Sequence, residues 1–487
     1  MPNPIAYLAL FGWPFVTWLL FRRFSIQKAA ILSVILGYLF LPTRPSIDLP
    51  ILPPFNKFLI PSLSALVFAY LQTRAQHQAE QRMMRRNGER PPRSARRAPR
   101  SRVQKIVLVV MVLMLTMPVL TWATNREPMI DGIVYISGLR PYDIASLSLA
   151  TLVMLVPFFV GYLYLKGRNA QLLLLRTLAW SGLVYSVLVM FESRFSPQLN
   201  VWIYGFFGND FAQHMRQGGF RAIVFLEHGL RVGIFLCMAA MACAVLSCSA
   251  DTNKGRLRWL AATAWMVLAL ILSKNIGAFL IAITLLPIIF LTSRKIQSLA
   301  ALCIAALVLI YPLARGAGLV PVNEITSFMS QYSPERAGSL NFRLSNEDTL
   351  LERANLKPLA GWGGWGRNML YDPETGKNTS ITDGRWIIVI GSFGWIGYLG
   401  TFGLLCLPVI VLGMRARRFQ LDLVDSGLLL IVAANLLDLL PNSSSMPPLW
   451  ILVGALWAQY DQVQTATTKT RHNRPRAASS RESTASG

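Results

Sequence analysis

The stretch IVFLEHGLRVGIFLCMAAMACAVLSC, residues 223–248, decides the class of fold. It is long enough to cross a bilayer as a helix, which takes about 20 mostly apolar residues. Yet Glu227, His228 and Arg231 sit about one to two turns inside it. Ionisable groups at that depth are costly and face a polar cavity or a partner. Glu227 and Arg231 are spaced i,i+4 and can pair with each other. One stretch therefore carries both a membrane helix and a candidate site.

Similar apolar runs recur from end to end of the 487 residues. The chain is 53% hydrophobic, its mean hydropathy is +0.44, and only 14% of its residues are charged, against roughly 25% in a soluble domain. Spans are expected near 5–21, 28–42, 58–72, 106–123, 143–165, 170–191, 223–248, 258–273, 276–292, 298–315, 386–412, 424–440 and 446–460. The first has no basic segment before it and no small-residue cleavage site after it, so it reads as a retained helix rather than a leader. Cys237, Cys243, Cys248, Cys303 and Cys406 lie in or at the ends of apolar runs without metal-ligand spacing, as small apolar side chains do.

The net charge of +24 would suggest nucleic acid in a soluble protein. Here its distribution argues for orientation in a membrane instead, with no nucleic-acid partner. Residues 74–105 and the tail after 461 are rich in arginine and poor in apolar residues, and read as disordered. Short basic turns occur at 22–23, 166–168, 254–258, 294–295 and 415–418. With thirteen spans all of these fall on one side. Lys and Arg concentrate on the cytoplasmic side, so the N-terminus is expected outside and the C-terminus inside, with basic segments contacting anionic membrane lipids.

The outward segments are then 124–142, 193–222 and 316–385. The last is long, balanced in charge and not of low complexity, as folded functional loops are. Within it, SNEDTLLERANL (345–356) reads as a helix, with Ser345 at its N-cap, Arg353 in its last turn and Leu350, Leu351 and Leu356 packed on the bundle. The following LKPLAGWGGWGRN (356–368) cannot form a stable helix. Its glycines allow close approach to a ligand, and Trp362 and Trp365 either anchor at head groups or stack on a sugar or lipid. Arg343, Arg353 and Arg367 suit a phosphate, which guanidinium binds in bidentate fashion. In SITDGRWIIVIGSFGWIGYLG (380–400), Gly391, Gly394, Gly397 and Gly400 would admit a neighbouring helix. Asp383 is either a general base or a helix cap, with Arg385 beside it. Arg216 and Arg221 lie just outside the span at 223–248, and Lys274 lies in the outward SKN turn.

No metal set, no DxD pair and no phosphate-binding GxxxxGK[ST] loop is visible, so neither metal nor cofactor is expected. The energy source must then travel with the substrate. A sugar on a lipid pyrophosphate fits: cations bind the pyrophosphate, and a carboxylate takes the proton of an acceptor hydroxyl.

Four segments, FRAIVFLEHGLRVGIFL, ILSKNIGAFLIA, NFRLSNEDTLLERANLKPLAGWGGWGR and TDGRWIIVIGSFGWIGYLG, resemble in order and spacing the O-antigen ligase and Wzy-type polymerase superfamily, over about residues 200–440. The resemblance implies an all-α polytopic membrane protein of GT-C-like type, with about thirteen transmembrane helices and a long, partly helical periplasmic loop in the bacterial inner membrane. It implies a glycosyltransferase acting on undecaprenyl-diphosphate-linked oligosaccharide, with flippase and chain-length regulator proteins as candidate partners. Arg221 matches the family's pyrophosphate-contacting arginine, and Arg343 or Arg353 its loop arginine. Asp383 falls where the ligases carry a histidine, and its Asp-Gly opening looks more like the exopolysaccharide polymerases. The expected activity is therefore a polymerase with Asp383 and Arg385 catalytic, Glu227, Glu347 and Asp348 being the alternative carboxylates for the base. Arg216, Arg221, Arg343, Arg353 and Lys274 would hold pyrophosphate. Trp362, Trp365, Arg367, Glu227, His228 and Arg231 would line the glycan or lipid path. A ligase is the alternative within the class; a polysaccharide or lipid transporter is the alternative outside it.

Overall fold

The computed structural model describes residues 1–47, 54–87, 101–208, 211–216, 218–332, 334–443 and 445–472. Apolar sequence with few breakers becomes helix, and 73% of the described residues are helical. The path opens with α1 (Pro4–Phe11) and α2 (Trp13–Arg23), which meet at a 42° bend beside Gly12. Then come α3 (Ile26–Phe40), capped by the Ser25 hydroxyl, α4 (Leu59–Arg86), and α5 (Arg102–Ala123), which starts in a Ser101–Gln104 capping box. A hairpin of β1 (Met129–Asp131) and β2 (Val134–Ile136) pairs Met129 with Ile136. It leads to α6 (Pro141–Tyr164), α7 (Arg168–Phe195) and the short α8 (Leu199–Tyr204). A second hairpin, β3 (Met215–Arg216) with β4 (Gly219–Phe220), precedes α9 (Gly229–Cys248). The rest is α10 (Asn253–Leu272), α11 (Ile276–Leu291), α12 (Arg294–Gly316), the pair α13 (Val322–Tyr332) and α14 (Pro334–Asn355), then α15 (Arg385–Met414), α16 (Leu423–Asp438) and α17 (Pro447–His472).

Each of the thirteen expected segments contains helix. Among the described residues, seven helices are long and apolar enough to cross a membrane: α5, α6, α7, α9, α10, α12 and α15. The bent pair α1–α2 makes an eighth if it counts as one span. Helix α9 is the axis of the bundle: 89% of its apolar window is buried, and α7, α10, α11 and α16 pack around it. Side-chain hydrogen bonds tie helices where water cannot. Ser426 Oγ donates to Gln297 Oε1 at 2.6 Å, and Tyr398 Oη donates to Val308 O at 2.7 Å.

Three expected boundaries move. The basic segment 74–105 is helical up to Arg86 and again from Arg102, while 88–100 lies outside the described residues. The tail is helical to His472, with 473–487 likewise outside. In the long loop the helix starts at Pro334, not after Ser345, because proline suits the first helical position and no strong breaker intervenes. Leu350 and Leu351 are buried as expected, but Leu356 is exposed.

Candidate functional site

Residues 223–228, expected inside a span, are not helical, and the reason is Glu192. Its buried carboxylate accepts from Leu199 N (3.0 Å), Ile223 N (3.0 Å) and Val224 N (2.7 Å), drawing those amides out of a helical ladder. Val224 takes a φ of 52° as the chain turns. His228 then becomes the N-cap of α9, its Nδ1 accepting from Leu230 N at 3.1 Å. Glu227 and Arg231 still pair at 2.7 Å, now across the start of α9. All three thus stand at the end of the helix rather than within it.

That helix end forms one wall of a cavity of about 400 Å³. Thr43 and Arg44, beyond the end of α3, line a second side. Asn442 and Ser443, beyond the end of α16, line a third, and Asp383, before the start of α15, lines a fourth. The last two ends complete each other: Arg385 N donates to Leu439 O at 3.0 Å and to Asn442 O at 3.1 Å, so an orphan amide of one helix meets orphan carbonyls of the other. Asp383 does not cap α15, whose N-cap is Gly384 with no side-chain bond. Instead its carboxylate pairs with Arg343 Nε of α14 at 3.2 Å, and both side chains stay partly exposed. Arg385, expected to orient Asp383, places its guanidinium 3.6 Å from Met154 Sδ, and the ion pair to Asp383 comes from Arg343. Every helix end around this cavity lies opposite the basic turns. In α15, Arg385 is at the cavity end and Arg415, Arg417 and Arg418 follow the other.

Beside the cavity lies a second cationic group. Arg221 is buried and donates from Nε to Asn275 Oδ1 at 2.9 Å, and its aliphatic stem packs on Gly229, next to His228. Lys274 adopts a φ of 57° in the α10–α11 turn, which sets its ammonium against Gly219 of β4. Arg216 pairs with Gly219 through the backbone, and its side chain lies outside the described residues. Below the loop, the buried Lys57 donates to Phe225 O at 2.7 Å. Burial pushes its ammonium down to about 7, with Glu227 raising and Arg231 lowering it.

Next to Asp383, α14 lays Glu347 beside Tyr311 of α12 and Trp386 of α15. Only 6% of Glu347 is exposed, and its Oε2 has no hydrogen-bond partner among the described residues. Burial pushes its carboxyl up to about 7, against a downward pull from Arg315 and with Asp348 and Asp383 adding to the rise. Asp348 itself pairs with Arg315 at 2.9 Å.

The glycine–tryptophan stretch does something else. Helix α15 is broken at Gly394 (φ 64°, ψ −166°), which orphans amides and carbonyls in its middle. Residues 358–363 fill the break. Trp362 N and Gly363 N donate to Gly391 O (2.9 Å) and Ser392 O (2.8 Å), and Trp395 N and Ile396 N donate to Pro358 O (2.7 Å) and Leu359 O (3.3 Å). A Cβ at Gly361 would stand 2.4 Å from Phe393 N, and one at Gly394 would stand 2.4 Å from the Leu359 carbonyl. Both glycines are there for close backbone approach to the chain itself. Gly397 and Gly400 do admit a helix, since Met117 and Met114 of α5 lie against them.

The cations expected to bind phosphate here are spent on the same knot. Arg367 is 2% exposed, and its guanidinium donates to Trp362 O (3.1 Å), Ser137 O (2.8 Å) and Glu127 O (3.1 Å). Arg353 donates to Arg367 O at 3.1 Å and lies 4.5 Å over the Trp362 ring, with Asp131 at 3.9 Å. Trp362 Nε1 donates back to Arg353 O at 2.8 Å. Trp365 is 56% exposed. None of Arg353, Trp362, Trp365 and Arg367 lines the cavity. For Arg353, Trp362 and Arg367 the expected ligand roles give way to packing ones, because their donors already face backbone carbonyls.

The structure therefore joins Asp383, Arg343, Glu227, His228 and Arg231 in one place, with Arg221 and Lys274 adjoining. Sequence reading missed Arg44, Lys57 and Asn442. Arg44 had a signal, a lone cation between two prolines in an outward turn; Lys57 and Asn442 had none, because only the fold brings their turns together. A carboxylate flanked by movable guanidinium groups can take a proton from a hydroxyl and offset negative charge on a departing group. Among the described residues no group of three His, Cys, Asp or Glu side chains is placed to hold a metal ion. No family model matches this chain, and no curated protein matches it.

Proposed function

We propose that the chain is a membrane glycosyltransferase, a Wzy-type polysaccharide polymerase that joins undecaprenyl-diphosphate-linked repeat units. The reading rests on one observation: Asp383 shares a polar cavity with Arg44, Arg231, Glu227 and His228, at helix ends opposite the basic turns. Since Lys and Arg stay cytoplasmic, that end faces the periplasm of a bacterial inner membrane, with thirteen crossings, the N-terminus outside and the C-terminus inside.

In the proposed step an acceptor hydroxyl on the next lipid-linked repeat attacks the anomeric carbon of the growing chain. Its proton passes to Asp383 as the new C–O bond forms. The bond from that carbon to the diphosphate oxygen breaks, and undecaprenyl diphosphate leaves with the electron pair. Arg343 then exchanges its carboxylate partner for the diphosphate, and Arg44, Arg221, Arg231 and Lys274 offset the remaining charge. Arg353, Arg367 and Trp362 are left out of the ligand set. The donor lipid reaches the site from a flippase, and a chain-length regulator is the expected partner downstream.

The test is Asp383→Asn, with membrane levels of the protein matched to the parent. Accumulation of single lipid-linked repeats, with long polymer falling by roughly 10² or more as for loss of a general base, is the expected result. Unchanged polymer would overturn the assignment of the base. Loss of glycan from lipid A core with lipid-linked polymer accumulating would make the enzyme a ligase. Loss of transported lipid without any change in glycosidic linkage would make the chain a transporter.

A further inference from the structure

Away from this cavity, a groove of about 440 Å³ runs along the outside of the bundle between α3 and α7. On α3 it is lined by Lys28, Leu32, Leu36 and Phe40, every fourth residue of one helix face. On α7 it is lined by Arg176, Trp180 and Val184, of which Trp180 is 61% and Val184 56% exposed to the surroundings. Its polarity is one-sided. The two cations are at one end, and the far end is Leu36, Phe40 and Val184.

The cationic end lies at the level of the basic turns. Gln27 Nε2 donates to Tyr164 O and Lys166 O (3.3 Å each), which ties the start of α3 to the turn that opens α7. Lys28 Nζ lies 4.2 Å over the Phe24 ring, and neither Lys28 nor Arg176 has an acidic partner among the described residues. Two cations without counter-charges beside hydrocarbon are costly, and a bound anion offsets that cost. From Lys28 to Phe40 the groove rises about 18 Å at 1.5 Å per residue. Half of a 30 Å hydrocarbon core is about 15 Å. The groove is thus one leaflet long.

We infer that this groove is a binding site for one anionic phospholipid of the leaflet on the basic side. Its phosphate sits between Lys28 and Arg176, and an acyl chain lies along Leu32, Leu36, Phe40 and Val184. This site is separate from the glycosyltransferase cavity and stands whether or not that reading does.

Full-length protein, delipidated in detergent and titrated with phosphatidylglycerol or phosphatidylcholine under native mass spectrometry, tests it. The parent retains phosphatidylglycerol in preference. Lys28→Ala with Arg176→Ala lowers its retention roughly thirty-fold, about fivefold for each cation. A second variant, Leu36→Trp, fills the groove while keeping both charges and loses the lipid as well. Equal retention of the two lipids by the parent, parent-like retention in either variant, or preference for undecaprenyl phosphate over phosphatidylglycerol would overturn the inference.

Discussion

Glu347 is the residue whose environment departs furthest from what its position in a polar loop suggests. It lies on α14 under Tyr311 and Trp386, and burial raises its carboxyl from the ordinary 4.5 to about 7. The native state therefore holds a proton that the unfolded chain has released between these two values. Stability falls as pH rises through that window, by roughly 3 kcal/mol at 1.36 kcal/mol per pH unit. Glu347→Gln should abolish that part of the slope. Melting of the detergent-solubilised parent at pH 5 and pH 8 should show a larger drop than the variant's, and parallel curves would refute the assignment. Asp383 stands out at this scale because it precedes an apolar helix beside an arginine, and unlike Asp422 it leaves its helix uncapped and pairs with Arg343 instead. Arg353 and Arg367 were misread because a sequence shows that a guanidinium is present and not which carbonyls already occupy it. At Arg367 those carbonyls come from residues 127 and 137, more than 200 positions away.

At the scale of elements the decisive feature is the break in α15. Apolar length alone calls for one uninterrupted span at 386–412, and helix does run from Arg385 to Met414 on both sides of Gly394. The break at Gly394 exists because another segment supplies the missing partners. Gly361→Ala should remove that fit. The left-handed φ of 66° costs an L-residue roughly 1–2 kcal/mol, and the Cβ would overlap the backbone at Ser392–Gly394. A melting temperature lowered by several degrees, with polymer synthesis reduced in proportion to folded protein, is expected; a parent-like melting curve would show that the segment does not fill the break. Helix α14 illustrates a plainer error. Its sequence was read from Ser345 because a serine followed by acids looks like a cap, whereas the helix had already started at Pro334. Local signals mark where a helix could begin, and the chain upstream decides whether it has.

For the whole molecule, the prediction concerns sidedness. Lys377 is exposed in the turn closed by Asp372 and Gly376. In a parent with Cys303→Ser, Lys377→Cys should react with an impermeant thiol reagent in intact spheroplasts. Labelling only after lysis would put the cavity on the cytoplasmic side and remove the basis of the proposed function. That the thirteen apolar segments would hold helix was readable without any structure, because burial of apolar surface and backbone hydrogen bonding in lipid leave a long apolar run little choice but helix; among the described residues, seven of the helices, or eight with the bent first pair, have the length and apolarity to cross a membrane. The Glu227–Arg231 pair was readable too, although it forms across the start of α9 and not within a helix turn, since Glu227 precedes the N-cap His228. The cavity was not. Its walls come from the ends of α3, α9, α15 and α16, and Glu192 holds the amides of Ile223 and Val224 outside α9. Sequence by itself determined that the long apolar segments become helix, because local composition sets that choice. Only the tertiary structure decided which charges meet at the site and which are consumed as backbone staples, because those partners are chosen by packing between segments hundreds of residues apart.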